Sequence, residues 1–410
     1  MTLVGVSSLP DAHAASTENR EGYAIGLMSG TSGDGIDVAL VSFKEIVGTE
    51  FPEMHLEHFL YVPFEASQRE EVFALFDPRV SADYVAWMDR RMGEWFGQAS
   101  RLIMRESQLS PHAPLVIGLH GQTVCHHPDR HFTLQIGDPA IVATYTYCPV
   151  VSNFRKMDMA LGGQGAPLIP YFDYAYFRSQ KKSRVLLNLG GISNITLIKE
   201  GAAISELVAF DTGPGNMVID GALSLLSDNH FHVDEEGRLA ARGHVDTQWV
   251  QSLIEKDDYF RRNPPKSTGR EEYGESFLRK ELGTWLAERT ASGSSDITDQ
   301  IMADGVASMT FFVAQTLALA IKQVIDGQFE LVITGGGRHN RTLVAWIVNL
   351  VKPEKSLLSE DFGVPSDAKE AMAFALFAWQ FLHHRSVNIP HATGASHAAV
   401  LGAYTPAPKR

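Results

Sequence analysis

An α/β fold of two lobes around a cleft is what the sequence predicts, and three observations carry that expectation. Two strand–turn–strand hairpins with glycine-rich turns open the two halves of the chain in the same manner, an internal repeat. A third glycine-rich turn follows a later apolar strand. Segments of helical periodicity alternate with these strands.

The elements follow in chain order. Residues 1–21 lack the basic segment and long apolar stretch of a signal peptide and read as a flexible tail. Residues 23–28 are β-rich and run into Ser29-Gly30-Thr31-Ser32-Gly33-Asp34-Gly35, after which residues 36–41 alternate. Trp87, Met88, Met92, Trp95, Phe96, Ala99 and Ile103 recur at helical spacing, so a helix is expected over 84–104. A buried strand over 114–119 ends at His120-Gly121-Gln122-Thr123. Near position 150 the pattern restarts, with strand 184–189, turn Gly190-Gly191-Ile192-Ser193 and strand 194–198. A short strand then enters Asp211-Thr212-Gly213-Pro214-Gly215-Asn216, followed by a long helix over 303–325. Strand 331–334 enters Gly335-Gly336-Gly337, a helix begins near Thr342, and a last helix covers 369–383. The expected division is a first lobe of 22–150 with 384–410 and a second lobe of 151–383.

Composition limits the function. A net charge of −13 over 410 residues argues against nucleic acid or an anionic membrane as partner, because either needs a basic face. Two cysteines, Cys125 and Cys148, are too few for a disulfide framework and fit a reducing compartment. No uninterrupted apolar run approaches the ~20 residues that span a bilayer, so a cytoplasmic location is expected.

Glycine turns at strand ends hold phosphate because the backbone approaches closely and successive N–H groups form an anion-binding nest. Gly30, Thr31, Ser32, Gly33, Asp34 and Gly35 make such a turn, with hydroxyl donors and a carboxylate able to hold Mg²⁺. The same residues also suit a plain hairpin turn. Three such turns in one chain favour a nucleotide clamp built from both lobes. Walker A, Rossmann and serine-hydrolase spacings are all missing. Asp211, between a strand and a Thr-Gly-Pro-Gly-Asn turn, is the candidate general base, or else an Asp that organises its own turn. His120, Cys125, His126, His127 and His131 lack zinc-ligand spacing, and His-Gly-Gln-Thr reads as either a ligand contact or a structural loop. Glu370 reads as a helix N-terminal charge or a second carboxylate near Mg²⁺.

Taken together the motifs closely resemble those of the anhydro-N-acetylmuramic acid kinase family. They are Gly26 to Asp37, His120-Gly121-Gln122-Thr123, Gln135-Ile136-Gly137-Asp138-Pro139, Gly162-Gly163-Gln164-Gly165-Ala166-Pro167-Leu168, Asn188 to Asn194, Phe210 to Asn216, Thr334 to Gly337 and Ala368-Lys369-Glu370-Ala371. The resemblance runs from about Tyr23 to about Pro406 in the family's order. It implies the two-lobed actin, sugar-kinase and heat-shock ATPase fold with ribonuclease-H-like duplicated domains, and a homodimer. It also implies conversion of 1,6-anhydro-N-acetylmuramic acid, ATP and water into N-acetylmuramic acid 6-phosphate and ADP, a step of cell-wall sugar recycling. Asp211 is then the base that activates water, since O6 of an anhydrosugar carries no proton. Asp34 and Glu370 sit near Mg²⁺. Gly30 to Gly35, Asp37, Gly190, Gly191, Asn194, Gly213, Gly335, Gly336 and Gly337 bind the nucleotide. His120, Gln122, Thr123 and Arg155 face the sugar, with Arg155 or Lys156 meeting its lactyl carboxylate.

Two positions depart from the family: Gly33 replaces a larger apolar residue, and Asn153 replaces an Asp. A levoglucosan-type kinase and a non-catalytic actin-like ATPase are the competing readings. The 125–128 and 133–139 stretches fit the muramic branch, and an intact Asp211 turn speaks for an active enzyme.

Overall fold

The computed structural model describes residues 21–30, 32–109, 113, 115–290 and 297–409, so the tail 1–20 and Thr31 lie outside the described residues. Two mixed sheets share one strand order. In the first, β1 (Glu21–Ser29), β2 (Gly35–Lys44) and β3 (Glu53–Pro63) form an antiparallel meander. On its other side β1 runs parallel to β4 (Leu115–His127), onto which β5 (Phe132–Ile136) folds back, and β4 runs parallel to β6 (Val150–Ser152). In the second, β7 (Arg184–Leu189), β8 (Ile192–Ile198) and β9 (Val208–Pro214) make the meander, and β10 (Glu330–Thr334) and β11 (Lys355–Leu358) extend β7 in parallel. A last strand, β12 (Ala403–Thr405), closes the edge of the first sheet against β6.

Each sheet thus has a three-stranded meander whose first strand is extended by two parallel strands. The repeat read from the two hairpins is a repeat of whole domains, and the architecture is the duplicated, two-lobed actin-like one. Three apolar layers build it. Helix Ala82–Glu106 buries Met88, Met92, Phe96 and Ile103 against one face of the first sheet. Helices Asn216–Leu226, Asp299–Val324 and Arg341–Val351 cover one face of the second. Between the sheets, helices Ile169–Phe177 and Lys369–Leu382 pack with residues from both, including Ala24 and Val116 from the first and Leu186 and Val332 from the second.

Helix Lys369–Leu382 is apolar nearly all round because it is enclosed on both sides. It meets β1 and β4 backbone to backbone. A Cβ at Gly26 would lie 1.7 Å from the Ala371 carbonyl oxygen, and one at Gly118 would lie 2.0 Å from that of Phe374. The helix therefore rests on the first sheet, although the sequence division counts it with the second lobe.

Other elements differ from expectation in instructive ways. Glu21 already belongs to β1. β4 continues to His127, because pairing with β5 carries its polar residues past the point where the apolar signal stops. Among the described residues one helix, Asp299–Val324, is long and apolar enough to cross a membrane, but 78% of its apolar window is buried inside. Asp304, Ser308, Thr310, Gln315 and Thr316 interrupt that run in the sequence.

Candidate active site

A cleft of about 850 Å³ opens between the lobes. Asp37, His126, Arg155, Lys369, Glu370, the loop 164–168 and the start of helix Ile169–Phe177 line it from the first-lobe side, and Asn188, Asn194, Asp211, Lys266, Thr268 and Gly335 from the second.

Asp211 reaches the cleft because of a local irregularity. The β8–β9 register shifts between Ser193 and Asn194, which sets Asn194 opposite Asp211. The segment that follows helix Thr247–Lys256 returns alongside β9. There the Asp211 N–H donates to the Lys266 carbonyl at 3.2 Å, the Thr268 N–H donates to Asp211 Oδ2 at 3.2 Å, and the Tyr259 hydroxyl donates to the Asp211 carbonyl at 2.6 Å. Burial pushes the Asp211 carboxyl up to about 6, with the Thr268 N–H pulling the other way. A carboxylate of that basicity suits proton abstraction near neutral pH.

On the opposite wall acidic groups crowd together. Burial first, then the charges of Glu370, Asp34 and Asp367, raise the Asp37 carboxyl to about 7. Glu370 is open to the cleft's water yet walled by protein, and that burial raises its carboxyl, with Arg155 and Lys369 opposing. Among the described residues no three His, Cys, Asp or Glu side chains converge as a full ligand set. Mg²⁺ does not need one, since one or two carboxylates with phosphate oxygens and water suffice. Unneutralised acids around Asp37 fit such a cation.

The glycine turns expected to hold the nucleotide are each held differently. Gly30 accepts from Gln122 Nε2 at 3.1 Å and from the Gly33 N–H at 3.1 Å, and Ser32 Oγ donates to Asp34 Oδ1 at 2.6 Å. Gly190 and Gly191 accept from the N–H groups of Asn216 and Gly215 at 2.8 and 2.9 Å, joining that turn to the start of helix Asn216–Leu226. Gly213 lies in β9 beside Ser193. Gly335 packs on Asn188 and Leu189 and donates its N–H to Ser366 Oγ at 2.7 Å, Gly336 faces open space, and Gly337 packs on Asn216 and Leu189.

The expected sugar contacts are spread over two layers. Arg155 lines the cleft. His120 and Gln122 stand behind the wall: His120 is 4% exposed, and Gln122, fully buried, accepts from Ser29 Oγ at 2.6 Å and braces Gly30. Thr123 accepts from Gln135 Nε2 at 3.3 Å. Lys156 and Asn153 line a separate pocket of about 540 Å³ on the first lobe. Asn153 has φ of 59°, a conformation that Asn and Asp both tolerate, so this departure from the family leaves the backbone unstrained.

Two supports were not found from the sequence. Asp158, fully buried, accepts from the Gly165 N–H, Asn388 Nδ2 and Thr393 Oγ1 at 2.8, 2.8 and 2.7 Å, which ties the cleft loop to the C-terminal segment. Lys369 Nζ lies 2.7 Å from Asp173 Oδ1, and Thr196 Oγ1 donates to Asp173 Oδ2 at 3.1 Å, a buried link across the sheets. The only sequence signal for Asp158 is a carboxylate five residues before a Gly-Gln-Gly loop.

Comparison with known proteins gives the family. The family model for anhydro-N-acetylmuramic acid kinase matches residues 22–407. The protein of that name from Caldanaerobacter subterraneus subsp. tengcongensis is 38% identical over 395 residues, covering 93% of this chain and 96% of its own. That from Salinibacter ruber is 39% identical over 387 residues, covering 92% and 94%. A ROK family glucokinase from Streptomyces griseus, solved with glucose and AMPPNP, is a remote likeness at 13% identity and a TM-score of 0.36, covering 88% of this chain and 100% of that one.

Proposed function

The chain belongs to the anhydro-N-acetylmuramic acid kinase family, and from that premise we propose the part each cleft residue plays. The activity is ATP-dependent phosphorylation of anhydro-N-acetylmuramic acid. The observation that supports our reading is Asp211, a buried carboxyl raised to about 6, in a cleft whose other wall carries the Asp37 and Glu370 acids.

Asp211 takes a proton from water as the water oxygen bonds to C1 of the sugar. The C1–O6 bond breaks, O6 bonds to the γ-phosphorus of ATP, and the bond from that phosphorus to the β-phosphate oxygen breaks to release ADP. The second proton of the water stays on the new C1 hydroxyl, and C1 inverts. Asn194, which the resemblance assigned to the nucleotide, stands opposite Asp211 and in this reading orients the water or the sugar instead. The turns at Gly30 to Gly35, Gly190-Gly191, Gly213 and Gly335 to Gly337 let the nucleotide approach the backbone closely, through N–H groups other than those of Gly33 and Gly335, which are bonded within the protein. Asp34 and Glu370, with Asp37 beside them, would hold Mg²⁺, which when bound supplies charge neutralisation on the phosphates. Arg155 meets the lactyl carboxylate. Lobe boundaries follow the sheets, with helix Lys369–Leu382 counted on the first. We further propose a cytoplasmic homodimer, which sedimentation of the purified protein would test.

Turnover in ¹⁸O-labelled water tests the chemistry. The label is expected on C1 of N-acetylmuramic acid 6-phosphate. Label in released phosphate instead would mean that water attacks phosphorus, and the assignment of Asp211 would fall.

A further inference from the structure

Arg155 is fixed in the cleft wall by two bonds. Its Nε donates to His120 Nε2 at 3.0 Å and its Nη1 donates to the Gly165 carbonyl at 2.8 Å. The two bonds set the plane of the guanidinium, and among the described residues no hydrogen bond engages Nη2, which is left for a ligand. The charge of Glu370 acts on the same guanidinium.

His120 has little freedom in how it serves. Its ring lies against Phe374, with centroids 4.6 Å apart, on helix Lys369–Leu382. Its Nδ1 is 2.8 Å from the Gly121 carbonyl oxygen, which can only accept, so the ring proton sits on Nδ1. Nε2 is then a bare lone pair, which the Arg155 N–H requires. Burial and the Arg155 charge push the imidazole down to about 3, so the ring stays neutral across the physiological range. A core histidine satisfied by chance would not need its tautomer dictated at one nitrogen and used at the other.

We propose that His120 is a positioning residue, which by its fixed tautomer holds the Arg155 guanidinium in the plane that receives an anionic sugar and so sets the preference for that sugar over a neutral one. The proposal rests on the reading that Arg155 faces the lactyl carboxylate. Removing the acceptor leaves a buried N–H unpaired and lets the guanidinium turn. The loss falls on binding of the carboxylate and not on the Asp211 chemistry.

The test compares anhydro-N-acetylmuramic acid with its lactyl methyl ester, a neutral sugar of nearly the same shape. His120→Leu is expected to raise KM for the acid by about tenfold or more, the cost of a buried unpaired donor, with KM for the ester and both kcat values little changed. His120→Gln, which keeps an acceptor, is expected to recover most of that loss. Equal effects on acid and ester, or a folded Gln variant no better than Leu, overturn the proposal. If Arg155→Met is selective for the acid and His120→Leu is not, the inference alone fails. If Arg155→Met affects both sugars alike, the reading of Arg155 fails and takes the inference with it. The wild-type protein gives an independent readout through ¹⁵N spectra of its histidine rings. One ring is expected with Nδ1 protonated and Nε2 bare, unchanged from pH 5 to 8, and a His120 ring that titrates or carries its proton on Nε2 would overturn the proposal.

Discussion

The two hairpin turns occupy equivalent places in the two sheets and are built in opposite ways. The β1–β2 turn is charged: Asp34 is exposed at its tip, and Asp37 enters β2 just beyond it. Side chains hold that turn from behind, with Ser29 Oγ donating to Gln122 Oε1 and Gln122 Nε2 donating to the Gly30 carbonyl. The β7–β8 turn, Gly190-Gly191, carries no charge. Its carbonyls are taken by the N–H groups of Gly215 and Asn216. In the second sheet the acid appears two strands from β7, at Asp211 on β9. One frame used twice therefore places its carboxylates on different strands. In the function proposed above, one group would face the metal and phosphates, and the other, alone, the proton to be removed.

The largest test of that contrast is Asp211→Asn, which removes the lone acid. Sugar-dependent ADP release should fall on the order of a thousandfold while the protein still melts cooperatively; a wild-type rate would remove Asp211 from the chemistry. Asp37→Asn thins a cluster in which neighbours remain. About a hundredfold loss of turnover is expected, part of it recovered at high Mg²⁺; a loss matching that of Asp211→Asn, insensitive to Mg²⁺, would erase the distinction between the two walls. Gly26→Ala tests the frame, since the Cβ would collide with the Ala371 carbonyl. A loss of about 3 kcal/mol or more in denaturant unfolding is expected.

The pH response comes next. Asp37, Asp211 and Asp220 are held near 7, 6 and 6, above their ordinary value of 3.8. Between that value and about 7 these three groups hold protons that the unfolded chain has lost, which outweighs the opposite contribution of His120, neutral in the fold, so stability falls as pH rises through this window. The melting temperature should be higher at pH 5 than at pH 8, and Mg²⁺ should raise it more at pH 8. Activity should move the other way, with kcat/KM rising through a midpoint near 6 as Asp211 ionises. The smallest effect is expected at Gly33, where φ is 59° and a Cβ would lie 3.1 Å from Val72 Cγ1. Gly33→Ala should cost about 1 kcal/mol, because an L side chain is strained there. The apolar residue usual in the family would meet the same strain in this turn.

Much of the frame was legible because it rests on local pattern. The strand at 184–189 and the start of the last helix at Lys369 fall where periodicity puts them, and the helix expected over 84–104 extends only to Ala82–Glu106. What was not legible depends on chain meeting chain. His120 and Gln122 read as strand-end contacts because polarity begins there, yet pairing with β5 carries β4 past them and turns both inward. The segment that grips Asp211 from Lys266 to Thr268 lies more than fifty residues away and carries no periodic signal. Asp158 and the Lys369–Asp173 pair are buried charges, which composition and period place on the surface.

The seating of helix Lys369–Leu382 on Gly26 and Gly118 also bears on redesign. Contact through bare backbone leaves no side chain whose repacking could absorb a shift of one element along the other. The alignment of that helix with β1 and β4 is indexed at two points, as a shaft is by two keys. Glu370 stands at the end of that shaft, and Phe374, against His120, lies one turn further along it. A library built to widen the sugar range should keep Gly165, whose backbone holds Arg155 and Asp158, and should treat Gly26, Gly118 and this helix as one inherited part.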